Sequence, residues 1–376
     1  MSWLVATDSF KGSLSAAAAS AAIARGLAAS GLEVDLCPLS DGGEGFVSAI
    51  VEGAGGRIEV ASTTDALGGP IEAAYGLIDG GETGVVELSS AAGLVQLPPG
   101  MRDPSRTTTY GVGALIAEAH RRHGFKHLLL GLGGSATVDG GAGLLEALGV
   151  RFLDHEGRPV PRGGGGLVRL ARIESADASP VLTACTITLA VDVDNPLLGP
   201  RGAAPVYGPQ KGADAAMVGA LEAGLKRLAG AIAAATGREL AAMPGTGSAG
   251  GVPAGLLAFG RARMQPGFEI AAAAVGLEAR LQAASLVVTG EGRLDRSSFE
   301  GKVVGRLAAR CQALGLPLVV VAGTLDPEGV ALLEAAGGAA FSLVPGPMPL
   351  AQAEAEAEAL LERQGRMLAR VLGWRV

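Results

Sequence analysis

The residues able to do chemistry gather in a few glycine-rich loops, each following an apolar stretch that reads as a β-strand. The first loop, Asp8-Ser9-Phe10-Lys11-Gly12-Ser13, follows a predicted strand at residues 3–7 and enters a helix. In an open parallel sheet, ligands bind where strands end and helices begin, because exposed backbone N–H groups point there. An acid and a lysine at that place can serve a metal and a phosphate, or can simply cap a helix. Asp41-Gly42-Gly43-Glu44-Gly45 follows a second predicted strand at 33–39. Its glycines allow close backbone approach to a ligand, and its two carboxylates suit Mg²⁺ or a substrate hydroxyl. The same string is also ordinary turn chemistry.

The most informative stretch is Gly131-Leu132-Gly133-Gly134-Ser135-Ala136-Thr137-Val138-Asp139-Gly140-Gly141. Backbone amides there can wrap an anion, and Ser135 and Thr137 can donate to phosphate or ligate a metal. Gly131, Gly133 and Ala136 also fit a dinucleotide fingerprint, with Asp154 lying 18 residues after Ala136. Against that reading, residues 137–141 interrupt the point where the helix should begin, and an acid sits badly beside a pyrophosphate. Asp192-Val193-Asp194-Asn195-Pro196 places two acids on one side of a strand end, and the proline stops the strand. Either acid can take a proton from a hydroxyl or hold Mg²⁺. Lys211 follows in Gly208-Pro209-Gln210-Lys211-Gly212. Thr289-Gly290-Glu291-Gly292 is read as another strand end, with Lys302 opening the next helix.

Several familiar motifs are missing. The sequence has no P-loop, no protein-kinase signature set and no G-x-S-x-G elbow. His120, His123 and His127 lack zinc-site spacing and read as surface or capping residues.

Composition bounds the setting. With 376 residues, 48% of them hydrophobic, the chain is long enough for two cores. A net charge of −7 and only 3% aromatic residues exclude a nucleic-acid surface. Cys37, Cys185 and Cys311 are odd in number and widely spaced, which fits core thiols in a reducing compartment. The first residues read as a strand rather than a leader, and no apolar run is long enough to cross a bilayer. The expected location is the cytoplasm, with neither membrane nor nucleic acid as partner. Arginine outnumbers lysine 25 to 5, and three of the lysines, Lys11, Lys211 and Lys302, fall in the loops described above.

The elements that must position these loops are α/β throughout. Strand and helix patterns at the two termini are alike, and between them lies a segment richer in strands, turns and glycine loops. Taken in order over nearly the whole chain, the loops resemble the class I glycerate kinase family, the type associated with 2-phosphorylation. The resemblance rests on Asp8-Ser9-Phe10-Lys11, Asp41 to Gly45, Gly133 to Thr137, Asp139-Gly140-Gly141, Asp192 to Leu197, Gly208 to Gly212 and Thr289 to Gly292. It implies two α/β domains, a flavodoxin-like one built from both termini and a second inserted between them, in agreement with a compositional break near residues 63 and 278 that gives 1–62 plus 279–376 and 63–278. It further implies ATP, Mg²⁺ and D-glycerate, with 2-phosphoglycerate as product. Homo-oligomerisation is left open.

From what phosphoryl transfer asks of a protein, Asp192 is expected to be the base, and Lys11 and Lys211 to offset charge. Asp194 and Asp8 are expected to hold the metal. Ser9, Gly42, Gly43, Glu44, Gly133, Gly134, Ser135, Thr137 and Glu291 are expected, with Asp8, to bind substrate or phosphate. A kinase for another hydroxy acid fits the same residues. A non-catalytic sugar-acid sensor would need the acceptor pocket but not acids and lysines in several loops.

Overall fold

The structure is a computed structural model that describes residues 2–28, 31–43 and 45–373. It is α/β and divides into two compact units. One comprises 1–41, 48–56 and 266–376, and the other 42–47 and 57–265. The expected boundary at 62/63 falls inside the strand Arg57–Thr64, and that at 278/279 inside the helix Leu277–Ala283.

Among the described residues, the first unit carries a five-stranded sheet. Its order is Glu33–Leu36, Ser2–Val5, Ala284–Leu294, Leu318–Leu325, Gly338–Ser342, and every pairing is parallel. Numbered along the unit's own chain this is 2-1-3-4-5, the flavodoxin-like order. Successive residues of a strand point to opposite faces, so a parallel sheet covered on both sides must be apolar at every position. Leu4, Val287 and Val320 pack with Leu281, Leu307 and Leu333 on one face. Val5, Val288 and Val321 pack with Ile23, Leu27 and Leu361 on the other.

The strand Ala284–Leu294 is longer than the sequence suggests, because Gly290 and Gly292 do not end it. Pairing with Leu318–Leu325 continues through Glu291 and Ala322 to Leu294 and Leu325. Gly290 serves close packing instead. A Cβ there would lie 2.5 Å from the Val321 carbonyl oxygen and 3.0 Å from the Phe10 ring.

In the second unit a six-stranded sheet runs Arg57–Thr64, Pro70–Ile78, Thr83–Glu87, His127–Gly131, Thr186–Ala190, Arg261–Gln265. The first two pairings are antiparallel and the rest parallel. The loops after Glu87, Gly131 and Ala190 therefore leave from one edge of the sheet.

Helices Ala16–Ala28 and Ala357–Gly373 meet in the first unit through two glycines. A Cβ on Gly26 would lie 2.1 Å from the Glu362 carbonyl oxygen, and one on Gly365 would lie 2.3 Å from that of Ile23. Arg25 bridges Glu358 at 2.6 Å and Glu362 at 3.2 Å, but these exposed pairs contribute little. Backbone proximity is the stronger constraint. Gly26→Ala and Gly365→Ala should each destabilise by about 1–3 kcal/mol through overpacking. Gly219→Ala, on an open face of the helix Ala215–Thr236, should be neutral or stabilising by up to about 1 kcal/mol. Thermal melts of the three variants check this, and equal effects at all three sites would contradict it.

Candidate active site

The first strand delivers Asp8 to its place by extending its pairing past Val5. Ala6 N–H donates to Val288 O at 2.8 Å, and Asp8 N–H donates to Gly290 O at 3.0 Å. The Thr7 hydroxyl bonds Ala16 O and the Ser20 hydroxyl, tying the loop to the following helix. Asp8 thus stands beside Glu291, where the strand order reverses. That reversal is where open α/β sheets bind ligands. A pocket of about 440 Å³ opens there, lined by Asp8, Ser9, Lys11, Asp41, Glu291 and Lys302 among others.

Both central acids are buried, at 8% and 7% exposure, and both hold their protons more tightly than usual. Burial pushes Asp8 up to about 7, and the charge of Asp41 adds to it against the Ser9 N–H bond at 2.7 Å. Burial likewise pushes Glu291 up to about 7, and its Oε1 has no hydrogen-bond partner among the described residues. Oxygen-only donors with an unmet demand for positive charge fit Mg²⁺, which is commonly held by one or two carboxylates together with substrate phosphates. No cluster of three or more His, Cys, Asp or Glu side chains at metal-holding positions occurs among the described residues.

In the second unit the loop after His127–Gly131 is built around two buried charges. Lys211 is 2% exposed, and its Nζ donates to Ser135 Oγ and to Thr137 O, each at 2.7 Å. Burial lowers this ammonium to about 7, opposed by the charge of Asp139. Asp139 accepts from Thr109 N–H at 2.8 Å, the Thr109 hydroxyl at 2.9 Å and Gly141 N–H at 3.1 Å, so it organises the loop from inside. Gly133 N–H donates to Gly42 O at 3.2 Å, and a Cβ on Gly133 would lie 2.5 Å from Gly43 Cα. Two glycine clusters far apart in sequence are therefore one close backbone contact. The Thr137 and Ser89 hydroxyls are buried without a partner among the described residues.

The sequence pattern of the glycerate kinase family matches residues 3–373. A glycerate kinase from Halalkalibacterium halodurans is 41% identical over 99% of this chain and 98% of its own length. The chain belongs to the glycerate kinase family. A glycerate 2-kinase from Escherichia coli is 39% identical over 88% of this chain and 87% of its own length. A crystal structure from Salmonella typhimurium, assigned as a glycerate kinase 2, superposes with a TM-score of 0.88 at 39% identity, covering 100% of both chains. The protein is accordingly a kinase. Among the described residues, no helix is long and apolar enough to cross a membrane.

Of the expected site residues of this glycerate kinase family member, Asp8, Ser9, Lys11 and Glu291 meet in one pocket. Gly42, Gly43, Gly133, Gly134, Ser135, Thr137 and Lys211 belong to the second unit. Glu44 lies outside the described residues. Asp192 is exposed just beyond the strand Thr186–Ala190, on the edge that also carries the Gly133–Thr137 loop. Asp194 is exposed and bonded to Arg201 at 2.6 Å, which holds its carboxyl below the ordinary range. Asp154 accepts turn amides of Glu156 and Arg158, each at 2.9 Å, and the helix after the glycine loop starts only at Ala142. Neither feature suits a dinucleotide fingerprint. Asp41 and Lys302 join the pocket although neither was among the expected site residues, and Ser89 carried no sequence signal because Ser-Ser-Ala-Ala reads as a plain helix start.

The raised acids make a stability prediction. Folded Asp8 and Glu291 bind protons more tightly than in the unfolded chain, so they favour folding fully below about pH 4 and lose that effect as pH rises through about 7. Asp8→Asn and Glu291→Gln should therefore melt several degrees higher than the parent at pH 8 in metal-free buffer, with the gap closing toward pH 4. A parent that melts higher than both at pH 8 would contradict the burial argument.

Proposed function

We propose that this kinase transfers the γ-phosphoryl group of ATP to the 2-hydroxyl of D-glycerate, giving 2-phosphoglycerate and ADP. The observation that carries the reading is the gathering of Asp8, Lys11, Glu291 and Lys302 in one pocket where the strand order reverses. Phosphoryl transfer asks a protein mainly to position groups and to neutralise charge. Acids short of a cation beside lysines are equipped for a metal-bound polyphosphate. The name of the Escherichia coli relative supports the 2-position. ATP as donor suits a cytoplasmic location.

Asp8 and Glu291 would hold Mg²⁺, which when bound draws charge from the phosphate oxygens. Asp194, already engaged by Arg201, is less suited to that task than Glu291. Lys11 would offset charge on the transferring group. Lys211 acts through the loop it supports, so it is a positioning residue. The Thr137 and Ser89 hydroxyls are donors for an anion at that loop. Asp192 would accept the proton of the attacking hydroxyl as the new O–P bond forms and the bond to ADP breaks.

The test is an ATP- and Mg²⁺-dependent assay with D-glycerate, coupled to enolase alone or to phosphoglycerate mutase plus enolase. Signal with enolase alone is expected. Signal only with mutase present would move the phosphate to the 3-hydroxyl, and silence in both would point to another hydroxy acid. In the same assay Asp192→Asn should lose about 10²- to 10⁴-fold in kcat. Near-parental turnover by folded Asp192→Asn would remove Asp192 as the base.

A further inference from the structure

The pocket in the first unit also has a large apolar share. Phe10, Leu343, Val344, Leu350, Ala353 and Ala357 line it beside the charged groups, most of them from the segment that follows Gly338–Ser342, which also contributes Glu354. A three-carbon hydroxy acid has almost no apolar surface to place against such a wall. The volume of about 440 Å³ is also several times what that acid fills, and lies in the range of about 300–1,000 Å³ typical of drug-sized ligands. Sites of that kind combine apolar walls with a few placed polar groups. Here the polar groups, lysines together with carboxylates, are of the kind a metal-bound phosphate chain needs. Lys302 Nζ is held by Ser297 Oγ at 2.7 Å, Lys11 is exposed at the rim, and the buried Glu291 Oε1 has no partner among the described residues.

We infer that this pocket is the nucleoside triphosphate site, with the base against Leu343, Val344, Leu350 and Ala353 and the phosphates toward Lys11, Lys302 and Glu291. The inference rests on the kinase reading proposed above and assigns one of its two substrates to one unit. It follows that the hydroxy acid is recognised by other groups, so damage to the apolar wall should separate the two substrates kinetically.

Two variants test this in the full-length protein. Ala353→Trp fills the wall. Leu350→Asp charges it at a side chain that is 73% exposed, where the fold tolerates a polar group. The readouts are displacement of a fluorescent ADP analogue by ATP, and steady-state kinetics with D-glycerate. The expected result is an ATP Kd at least about tenfold weaker in Ala353→Trp and severalfold weaker in Leu350→Asp, with KM for glycerate within about twofold of the parent. An unchanged ATP Kd in the folded variants overturns the assignment. A raised glycerate KM with unchanged ATP Kd also overturns it and gives the pocket to the acceptor. Parent protein that binds ATP but forms no phosphoglycerate would sink the glycerate reading alone. Loss of ATP binding in the two variants would then still support the nucleotide assignment.

Discussion

Everything at the pocket depends on the parallel pairing of the first strand with Ala284–Leu294. Ala6 and Asp8 donate to Val288 and Gly290, and the Thr289 hydroxyl donates back to Ala6 O at 2.6 Å. These contacts join residues about 280 positions apart, so the whole second unit is spanned before they can form. Closing so long a loop costs entropy that local structure cannot offset. The apolar sheet buried on both faces offsets it. Once that pairing exists, Asp8 and Glu291 have little freedom left, because one sits just past a strand and the other within its neighbour.

The two units handle buried charge differently. In the second unit Asp139 is satisfied by amides and hydroxyls of its own and neighbouring loops, and Lys211 by Ser135 and Thr137. Such networks rigidify a loop when complete. In the pocket of the first unit burial raises Asp8 and Glu291, as it raises Asp139, but there Glu291 Oε1 has no hydrogen-bond partner among the described residues. A site left unsatisfied in the free protein gives up stability that a bound cation and phosphate can restore. The contrast separates groups that build a loop from groups that await a ligand.

Much of this was legible in the residues. Apolar stretches ending in Asp8, Asp41, Gly133 and Asp192 marked the strand ends, and Lys302 opens the helix Val303–Leu314, as its place after a strand end suggests. Gly290 and Gly292 misled, since a glycine inside a strand looks like a stop until its close neighbours Phe10 and Val321 are known. The burial of Lys211 is less legible. Nothing between Gln210 and Gly212 marks it as buried, and a partner 76 residues away, Ser135, holds it. Burial of a charge is a property of distant packing, which spacing along a chain does not record.

In the proposed reaction, phosphoryl transfer draws on the buried acids of the first unit's pocket. Steady-state kinetics of Glu291→Gln with ATP, Mg²⁺ and D-glycerate, on protein shown by thermal melt to be folded, tests it most directly. The expected result is a fall in kcat/KM of at least about 10²-fold, the scale lost when a preorganised charged group is removed from such a site. A kcat/KM within a few-fold of the parent would contradict it and place the chemistry elsewhere in the molecule.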